Sequence, residues 1–409
     1  MWLYNLGISL YAGGIRLAAL WHGKARLWSE GRRNIFERME AAVRPSDRIV
    51  WVHAASLGEF EQARPIIERL RAEHPEYKIL LTFFSPSGYE IRKNYEGADY
   101  VFYLPADTPS NARRFLDIVH PEIAIFIKYE FWINLLSELR RRKVRSYIVS
   151  AIFRRNSVFF RPYGAMWRQA LETFDTLFVQ NVESKRLLSE IGFDNVVVAG
   201  DTRFDRVAQI AAAAQRVETI ERFRGGGRLF VAGSTWGPDE EILLPLVNAN
   251  PDVKFVIAPH EMDEGRIAHL MRDAKGGAVR YTQCDAATRF DDVQVLVLDT
   301  MGTLSSVYGS ATWAYVGGGF GVGIHNTLEA ATFGLPIAFG PNYGKFKEAR
   351  DMVSLGCAVS VRTAGELAAW FAPLRDDEET LRRASRTAKD YTARNQGATG
   401  IILRSIFNS

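Results

Sequence analysis

From residue 45 onward, short runs of β-branched, aliphatic and aromatic residues alternate with longer amphipathic stretches. The nearly continuous apolar runs predict buried strands, and the amphipathic stretches predict helices between them. Strands that are apolar on both faces and separated by helices are typical of parallel sheets covered on both sides. The predicted strands form two series: 49–54, 78–83, 122–127, 145–151, 175–180 and 195–199, then 228–232, 253–258, 294–298, 312–316 and 335–339.

The stretch between the two series, residues 205–227, is Ala-rich and ends in three consecutive glycines, which is typical of a flexible joint. The chain is therefore predicted to be an α/β protein with two doubly wound, Rossmann-like domains. We expect them to face each other across a cleft, with a ligand bound at the carboxyl ends of the strands. The predicted divisions are a membrane anchor (1–30), an N-terminal domain (31–204), a linker (205–227), a C-terminal domain (228–376) and a helical region that could return to the N-terminal domain (377–409).

The first 21 residues are largely apolar, and no charge occurs before Arg16. Aromatic residues punctuate this stretch, as they do at a membrane interface, and basic residues follow it and recur at 140–143. This pattern predicts an anchor that spans the membrane or lies in its anionic surface, with the rest of the chain on the cytoplasmic side. The alternatives are an apolar helix packed on the body of the protein and, for 140–143, a solvated helix face.

The composition narrows the class of protein. With 409 residues, of which 47% are hydrophobic and 24% charged, the bulk of the chain is neither disordered nor a multi-span membrane protein. Two cysteines without a CxxC pair exclude a disulfide scaffold and a cysteine-based zinc site. A net charge of +4 does not by itself indicate nucleic acid, and we expect no nucleic-acid partner.

The strand at 49–54 is followed by small residues, among them Ser56 and Gly58, and then by Glu59 at a predicted helix start. Small residues allow a ligand to approach the backbone closely. A carboxylate at this position can accept a proton from an attacking hydroxyl, although acids are also common in the first turn of any helix. After the strand at 122–127, Glu130 and Asn134 could contact a sugar hydroxyl or amine, or simply begin a helix.

In the second series, Gly233, Ser234 and Thr235 follow a strand and precede a predicted helix. Free backbone N–H groups and hydroxyls in such a place suit a phosphate, and a turn that caps the helix is the alternative. The loop 258–261, which contains His260, could contact a nucleotide base or phosphate.

The strongest pattern is a strand that leads into a glycine-rich loop and then a predicted helix. Gly318 and Gly319 in the loop and a helix beginning at His325 and Asn326 predict an anion cradle. Glu329 would lie one turn further on, where a carboxylate can hold ribose hydroxyls.

Five motifs together resemble one family. They are HAxSxGE (53–59), GDTRFDRV (200–207), GST…EE (233–241), DTMGxL (299–304) and GxHNxLEAAxFGxP (323–336), and they resemble the 3-deoxy-D-manno-octulosonic acid (Kdo) transferases of lipopolysaccharide biosynthesis. The resemblance extends over nearly the whole chain. It implies a GT-B glycosyltransferase that moves Kdo with inversion from CMP-Kdo to a hydroxyl of the lipid A precursor, lipid IVA. It also implies a location at the cytoplasmic face of the inner membrane.

The resemblance also implies roles for individual residues. Glu59 is the general base, and the acceptor side includes Ser56, Gly58, Glu130 and Lys128, the last of which stands where the family motif ExELWPN has its first glutamate. The resemblance assigns CMP binding to Met301, Gly302, Asn326 and Glu329. The residue patterns and the resemblance together complete the predicted donor-binding set with Gly233, Ser234, Thr235, His260, Gly318, Gly319 and His325.

One departure from the family pattern stays open. The PRHP loop of the family reads Ala258-Pro259-His260-Glu261 here, so its arginine is missing and another cation is expected to replace it. No metal is expected in the transfer step, because no Asp-x-Asp motif occurs in a plausible loop. The alternative is another GT-B enzyme, a transferase or an epimerase, that uses a UDP-sugar.

Overall fold

The computed structural model describes residues 1–408 and divides the chain into two compact units. The first unit comprises Met1–Arg206 together with the C-terminal segment from Gln396, and the second comprises Val207–Asn395. Each unit contains one seven-stranded sheet in which every strand pair is parallel. The predicted fold class, two parallel α/β Rossmann-like domains, is confirmed.

The sheet of the first unit has the strand order β3-β2-β1-β4-β5-β6-β7. Its strands are β1 (Ile49–His53), β2 (Lys78–Phe83), β3 (Tyr100–Tyr103), β4 (Ile123–Ile127), β5 (Arg145–Ala151), β6 (Thr176–Val179) and β7 (Val196–Val198). Its helices are α1 (Trp2–Ala18), α2 (Gly23–Glu30), α3 (Ile35–Ala42), α4 (Leu57–Glu73), α5 (Pro86–Arg92), α6 (Pro109–Val119), α7 (Ile133–Arg142), α8 (Ala165–Leu171) and α9 (Val182–Ser189). Helix α10 (Thr202–Ala213) continues from this unit into the next.

The sheet of the second unit has the order β10-β11-β9-β8-β12-β13-β14. Its strands are β8 (Leu229–Thr235), β9 (Lys254–Pro259), β10 (Ala278–Arg280), β11 (Val295–Val297), β12 (Trp313–Val316), β13 (Ile337–Phe339) and β14 (Ala358–Ser360). Its helices are α11 (Glu218–Arg224), α12 (Gly237–Ala249), α13 (Glu264–Asp273), α14 (Leu304–Tyr308), α15 (Leu328–Ala331), α16 (Lys347–Ser354), α17 (Ala364–Asp376) and α18 (Glu378–Arg394), and α19 (Ala398–Phe407) then packs in the first unit.

Each predicted strand is present, and three strands were not predicted: β3, β10 and β14. All three lie at an edge of their sheet and have three or four residues. Edge strands are half-covered, so they lack the continuous apolar run by which buried strands are recognised. The predicted linker 205–227 is largely helical, since it contains the end of α10 and all of α11.

Helix α1 is held to the first unit by polar contacts near its start. The Tyr4 hydroxyl donates to Asp107 (2.6 Å), and Asn5 accepts a hydrogen bond from Asn134 (2.9 Å). Most of the remaining large apolar side chains of α1 are exposed, including Trp2, Leu3, Leu6, Leu10 and Leu17. Within residues 1–408, no helix has the length and apolar character needed to cross a membrane.

Candidate functional site

The candidate base lies at the centre of the first sheet. Strands β2 and β3 lie on one side of β1, and β4 to β7 lie on the other. The loops that follow β1 and β4 therefore diverge and leave a crevice at the carboxyl edge of the sheet. Ser56 ends the loop after β1, Gly58 and Glu59 lie in the first turn of α4, and the loop after β4 carries Lys128 and Glu130. The predicted base and the four predicted acceptor-side residues are thereby brought to one edge of the sheet.

Glu59 occupies the first turn of α4, whose N-cap is Ser56. The Ser56 hydroxyl does not cap the helix but donates to Oε2 of Glu59 (2.7 Å). The Glu59 side chain is partly exposed, and its Oε1 makes no hydrogen bond to any other residue in 1–408. One carboxylate oxygen is therefore fixed and the other is available to accept a proton.

A buried chain of hydrogen bonds fixes Glu130. Trp51 Nε1 donates to the Thr82 hydroxyl (2.8 Å), which contacts Nδ1 of the fully buried His53 (2.8 Å), and Nε2 of His53 lies 3.0 Å from Oε2 of Glu130. With the Glu130 carboxylate as the acceptor, Nε2 of His53 is the donor of this contact. Trp132 Nε1 donates to the same oxygen (2.7 Å) and lies 3.2 Å from Nε2 of His53.

Both donors converge on Oε2 of Glu130, and Oε1 has no hydrogen-bond partner in the part of the chain that the structure describes. His53 is the first residue of the HAxSxGE motif, and it was not counted among the predicted site residues because a histidine at the end of a strand is more often packed and hydrogen-bonded.

Lys128 in the loop after β4 and Asn134 in the first turn of α7 differ in their settings. Lys128 adopts a left-handed conformation (φ 63°), which is uncommon for a residue with a Cβ and costs on the order of 1 kcal/mol. Asn134 is buried, and its side chain donates to the backbone of Asp107 and to Asn5. Asn134 therefore holds α1 and α7 in place, and the predicted sugar contact is not what its geometry supports.

In the second sheet, β8 lies between β9 and β12, and the loops after β8 and β12 again leave the sheet at its carboxyl edge. Asp239 in the first turn of α12 ties these loops together. Its buried carboxylate accepts from the backbone N–H groups of Trp236 and Gly318 (both 2.9 Å) and from the hydroxyl of Tyr315 (2.7 Å). Burial raises the pKa of Asp239. Asp239 was not predicted from the sequence. Its position three residues after the helix N-cap, where acids commonly bond back to the backbone, could have indicated this role.

Gly233, Ser234 and Thr235 are the last residues of β8, so the prediction of a loop at these positions was wrong. A side chain at Gly233 would place its Cβ 2.1 Å from the hydroxyl oxygen of Tyr308, and Thr235 is buried with its hydroxyl bonded to Glu240 (2.8 Å). These two residues pack the interior. Ser234 is partly exposed and has a left-handed backbone (φ 55°).

His260 and His325, predicted from separate motifs, stack against each other with ring centroids 4.4 Å apart. Trp236 stacks on His260 (4.8 Å), and its Nε1 donates to Nε2 of His325 (3.3 Å). Burial, together with the neighbouring His260, lowers the pKa of His325. The three rings together form an aromatic surface. Gly318 (φ 90°) lies directly beneath it, since a Cβ there would approach the His325 ring to 2.9 Å.

Asn326 and Glu329 form a second donor-side cluster. Glu329 accepts from the Asn326 side chain (3.0 Å) and from Ser305 of α14 (2.8 Å). Helix α14 begins directly after the loop of Met301 and Gly302, in which Met301 is 79% exposed and Gly302 has a φ of 85°. The helix predicted to begin at His325 instead begins at Leu328 and makes a single turn.

Gly319 packs backbone to backbone against Gly340 after β13, because a Cβ at Gly319 would lie 2.6 Å from Gly340. The donor-side residues thus meet around the loops after β8, β9, β11 and β12 of the second unit. Among the described residues 1–408, no group of three or more His, Cys, Asp and Glu side chains is placed to hold a metal ion.

The loop after β9 lacks the arginine of the family's PRHP motif, but an arginine on α13, Arg266, lies close to the end of β8. Arg266 pairs with Glu240 (2.5 Å), donates to the Thr235 carbonyl (3.1 Å) and lies 5.9 Å from the centre of the Trp236 ring. Sequence reasoning missed Arg266 because only the fold brings α13 against the end of β8.

Comparisons with known proteins agree with the motifs. A family model described as 3-deoxy-D-manno-octulosonic-acid transferase (kdotransferase) matches residues 32–206. Proteins named 3-deoxy-D-manno-octulosonic acid transferase are similar along most of the chain. The one from Haemophilus influenzae is 25% identical, covering 88% of this chain and 86% of its own, and the one from Bordetella pertussis is 28% identical, covering 87% and 86%.

Solved structures show the same fold at low identity. UDP-GlcNAc 2-epimerase from Neisseria meningitidis is 16% identical with a TM-score of 0.62, covering 88% of this chain and all of its own. MurG from Acinetobacter baumannii is 12% identical with a TM-score of 0.56, covering 89% of this chain and all of its own. These likenesses concern the fold alone. The chain is therefore similar to the Kdo transferases along most of its length, matches the model of that family over residues 32–206, and has the GT-B fold.

Proposed function

We propose that this protein is an inverting glycosyltransferase that moves Kdo from CMP-Kdo to a hydroxyl of the lipid A precursor, lipid IVA. The observation that carries the proposal is similarity to Kdo transferases over more than 85% of this chain. The site geometry supports it, because the first sheet presents a carboxylate with one free oxygen at its carboxyl edge.

In this proposal Glu59 is the general base. Its Oε2 is held by Ser56, and its Oε1 takes the proton from the acceptor hydroxyl as the oxygen attacks the anomeric carbon of Kdo. Attack opposite the CMP leaving group inverts the configuration at that carbon. Glu130, held by His53 and Trp132, offers its Oε1 to a second hydroxyl or to an amine of the acceptor.

On the donor side, the stack of Trp236, His260 and His325 supplies an aromatic surface for CMP, and Glu329 supplies a carboxylate for its ribose. The charge that develops on the leaving phosphate needs cations or N–H donors. The N-terminus of α12 is already capped by Asp239, and α15 has only one turn. We therefore propose Arg266 as the replacement for the missing loop arginine. The transfer step needs no metal in this proposal.

The proposed location is the cytoplasmic face of the inner membrane, where a lipid acceptor is available. The exposed apolar side chains of α1 and the basic residues that follow it support a helix lying in the membrane interface. Deleting residues 1–21 should release the protein from vesicles. Unchanged sedimentation with vesicles would contradict this part of the proposal.

The decisive experiment incubates the full chain with CMP-Kdo and lipid IVA and follows the products by mass spectrometry. Product mass also counts the sugars added. Wild type should form a Kdo-bearing lipid, and Glu59→Gln should not, while both bind CMP equally in calorimetry. Stabilisation by UDP but not by CMP in a thermal shift assay would instead favour a UDP-sugar enzyme.

A further inference from the structure

The glycine-rich loop after β12, residues 317–325, is held by the segment that follows β13, residues 340–346, which we call the bracing segment. Strand β13 is the neighbour of β12 in the sheet, so both segments leave it at the same carboxyl edge. The Asn342 side chain donates to the Gly321 carbonyl (2.7 Å), and the Asn342 backbone N–H donates to the Gly319 carbonyl (2.8 Å). The bracing segment therefore fixes the loop whose glycines are predicted to cradle an anion.

Lys345 of the bracing segment places a positive charge at this loop. Its Nζ donates to the carbonyl of Val322 (2.7 Å) and lies 5.6 Å from the centre of the Phe346 ring. Its stem passes Gly323 closely, because a Cβ on that glycine would lie 3.0 Å from Cε of Lys345. Gly323 in turn adjoins Gly318, since a Cβ on Gly318 would lie 2.7 Å from the Gly323 carbonyl oxygen. The ammonium is thus held next to the glycine that lies beneath the ring stack.

The charge of Lys345 has no compensating anion. The side chain is exposed, and no carboxylate pairs with it in the part of the chain that the structure describes. Lys347, two residues further on, differs because its Nζ pairs with Asp351 one turn along α16. An ammonium has three N–H donors, and the bond to Val322 uses one of them. The other two donors of Lys345 are therefore available to an anionic ligand.

Two cations lie on opposite sides of the glycine-rich loop in the order of the strands. Arg266 bonds to the end of β8 on one side of β12, and Lys345 follows β13 on the other side. The proposed donor carries two anionic groups, the phosphate that leaves with CMP and the carboxylate of the Kdo sugar acid. Because Arg266 is assigned to the phosphate, the carboxylate is the anion that Lys345 can take.

We propose that Lys345 binds the carboxylate of the donor sugar and makes the donor site selective for CMP-linked sugar acids. This inference rests on the proposed function, since it assigns a specificity-determining residue within the same donor site. Asn342 and Lys345 then divide the work of the bracing segment. Asn342 holds the loop in place without a charge, and Lys345 adds the charge that recognises the acid.

The test measures the Kd for CMP-Kdo and the Kd for CMP by calorimetry on the full chain, without an acceptor, so that no transfer consumes the donor. Lys345→Met keeps the apolar stem beside Gly323 and removes only the ammonium. We expect its Kd for CMP-Kdo to rise by about tenfold, because a hydrogen bond between two charged groups is lost, while its Kd for CMP changes less than twofold. Lys345→Arg, which restores the charge, should recover most of the affinity for CMP-Kdo.

Two further variants separate recognition of the acid from support of the loop. Lys347→Met removes a charge that Asp351 compensates, so it is the matched control and should leave both Kd values unchanged. Asn342→Ala removes the bond to the Gly321 carbonyl without a change of charge. If a loosened loop weakens binding, this variant should weaken the binding of CMP and CMP-Kdo by the same factor.

An equal rise of both Kd values in Lys345→Met would overturn the proposal, because the lysine would then serve the nucleotide or the loop itself. An unchanged Kd for CMP-Kdo in that variant would overturn it as well. Failure of the proposed transfer gives a different result: lipid IVA gains no Kdo from wild type, whereas donor binding still depends on Lys345. Conversely, transfer by wild type together with a Kd for CMP-Kdo that is insensitive to Lys345→Met would leave the role of Glu59 standing.

Discussion

The carboxyl edges of the two sheets carry different chemistry. At the first edge, two glutamates each have one oxygen fixed by a neighbour and one oxygen free, and a buried chain from Trp51 to His53 stabilises the second of them. At the second edge, Asp239 and Glu240 are buried and bonded, Glu329 is held by Asn326 and Ser305, and the rings of Trp236, His260 and His325 form a stacked surface.

The difference shows that similar strand orders can serve opposite tasks. An edge that ends in half-bonded carboxylates is suited to accept protons and hydroxyl groups. An edge whose carboxylates tie its own loops together is suited to hold a large ligand by shape and stacking. Substitutions at the first edge should therefore lower turnover, and substitutions at the second should weaken nucleotide binding.

The largest effect is expected for Glu59→Gln. General base catalysis contributes roughly 10²–10⁴-fold, so kcat should fall by about that factor while the Kd for CMP stays unchanged. Steady-state transfer assays and calorimetry measure the two quantities. Glu61→Gln on the same helix, whose carboxylate pairs with Arg92, is the control and should retain kcat. A Glu59→Gln enzyme with near-normal kcat would remove Glu59 from the chemistry.

His53→Phe should give the next largest effect, because it removes one of the two donors that hold Glu130. As a positioning residue, His53 should affect the acceptor: we expect KM for the lipid to rise and kcat to fall, together about 10- to 100-fold, with CMP binding intact. His53→Gln, which restores a donor, should recover part of the loss. A variant that loses only thermal stability would make His53 purely structural.

Arg266→Lys tests the proposed replacement for the loop arginine. A hydrogen bond to a charged group is worth about 1.5–3 kcal/mol, so the Kd for CMP should rise by about tenfold or more. Arg272→Lys, on the same helix and exposed, is the matched control. Equal Kd values for the two variants would place the donor phosphate elsewhere.

A smaller effect concerns pH and stability. Burial lowers the pKa of His325 in the folded protein, so between that value and about 6.5, the usual value, the unfolded chain binds more protons than the folded one. Stability should therefore fall as the pH drops below about 6.5. Urea unfolding of wild type and His325→Gln between pH 5 and 7.5 should show a shallower pH slope in the variant. Identical slopes would mean that His325 titrates normally in the folded state.

We expect no effect of metal chelation on the rate of transfer. The proposed mechanism uses carboxylates, imidazoles and a guanidinium, so transfer in the presence of EDTA should proceed at the same rate. A loss of activity that added Mg²⁺ restores would require a revised mechanism at the donor edge.

Much of the fold followed from the apolar runs. The predicted strands from 49–54 to 335–339 are all present, because a strand buried on both faces must be apolar along its length. Edge strands such as Ala278–Arg280 could not be recognised in this way. Glu59 and Glu130 were identified from motif and position. The support of Glu130 by His53 needed the packed sheet, since these two residues are 77 positions apart in the chain.

The sequence by itself determined two parallel sheets, the loops that carry chemistry and the resemblance to the Kdo transferases, because each of these is written in local periodicity or in short motifs. Only the tertiary structure decided which polar groups are used up inside the protein and which are left free. Asp239 and Asn134 bond to neighbouring backbone groups inside the protein. Arg266 bonds to the end of β8, and Arg32 contacts backbone carbonyls and aromatic rings. Those outcomes depend on contacts between distant segments, and neither periodicity nor spacing along the chain encodes them.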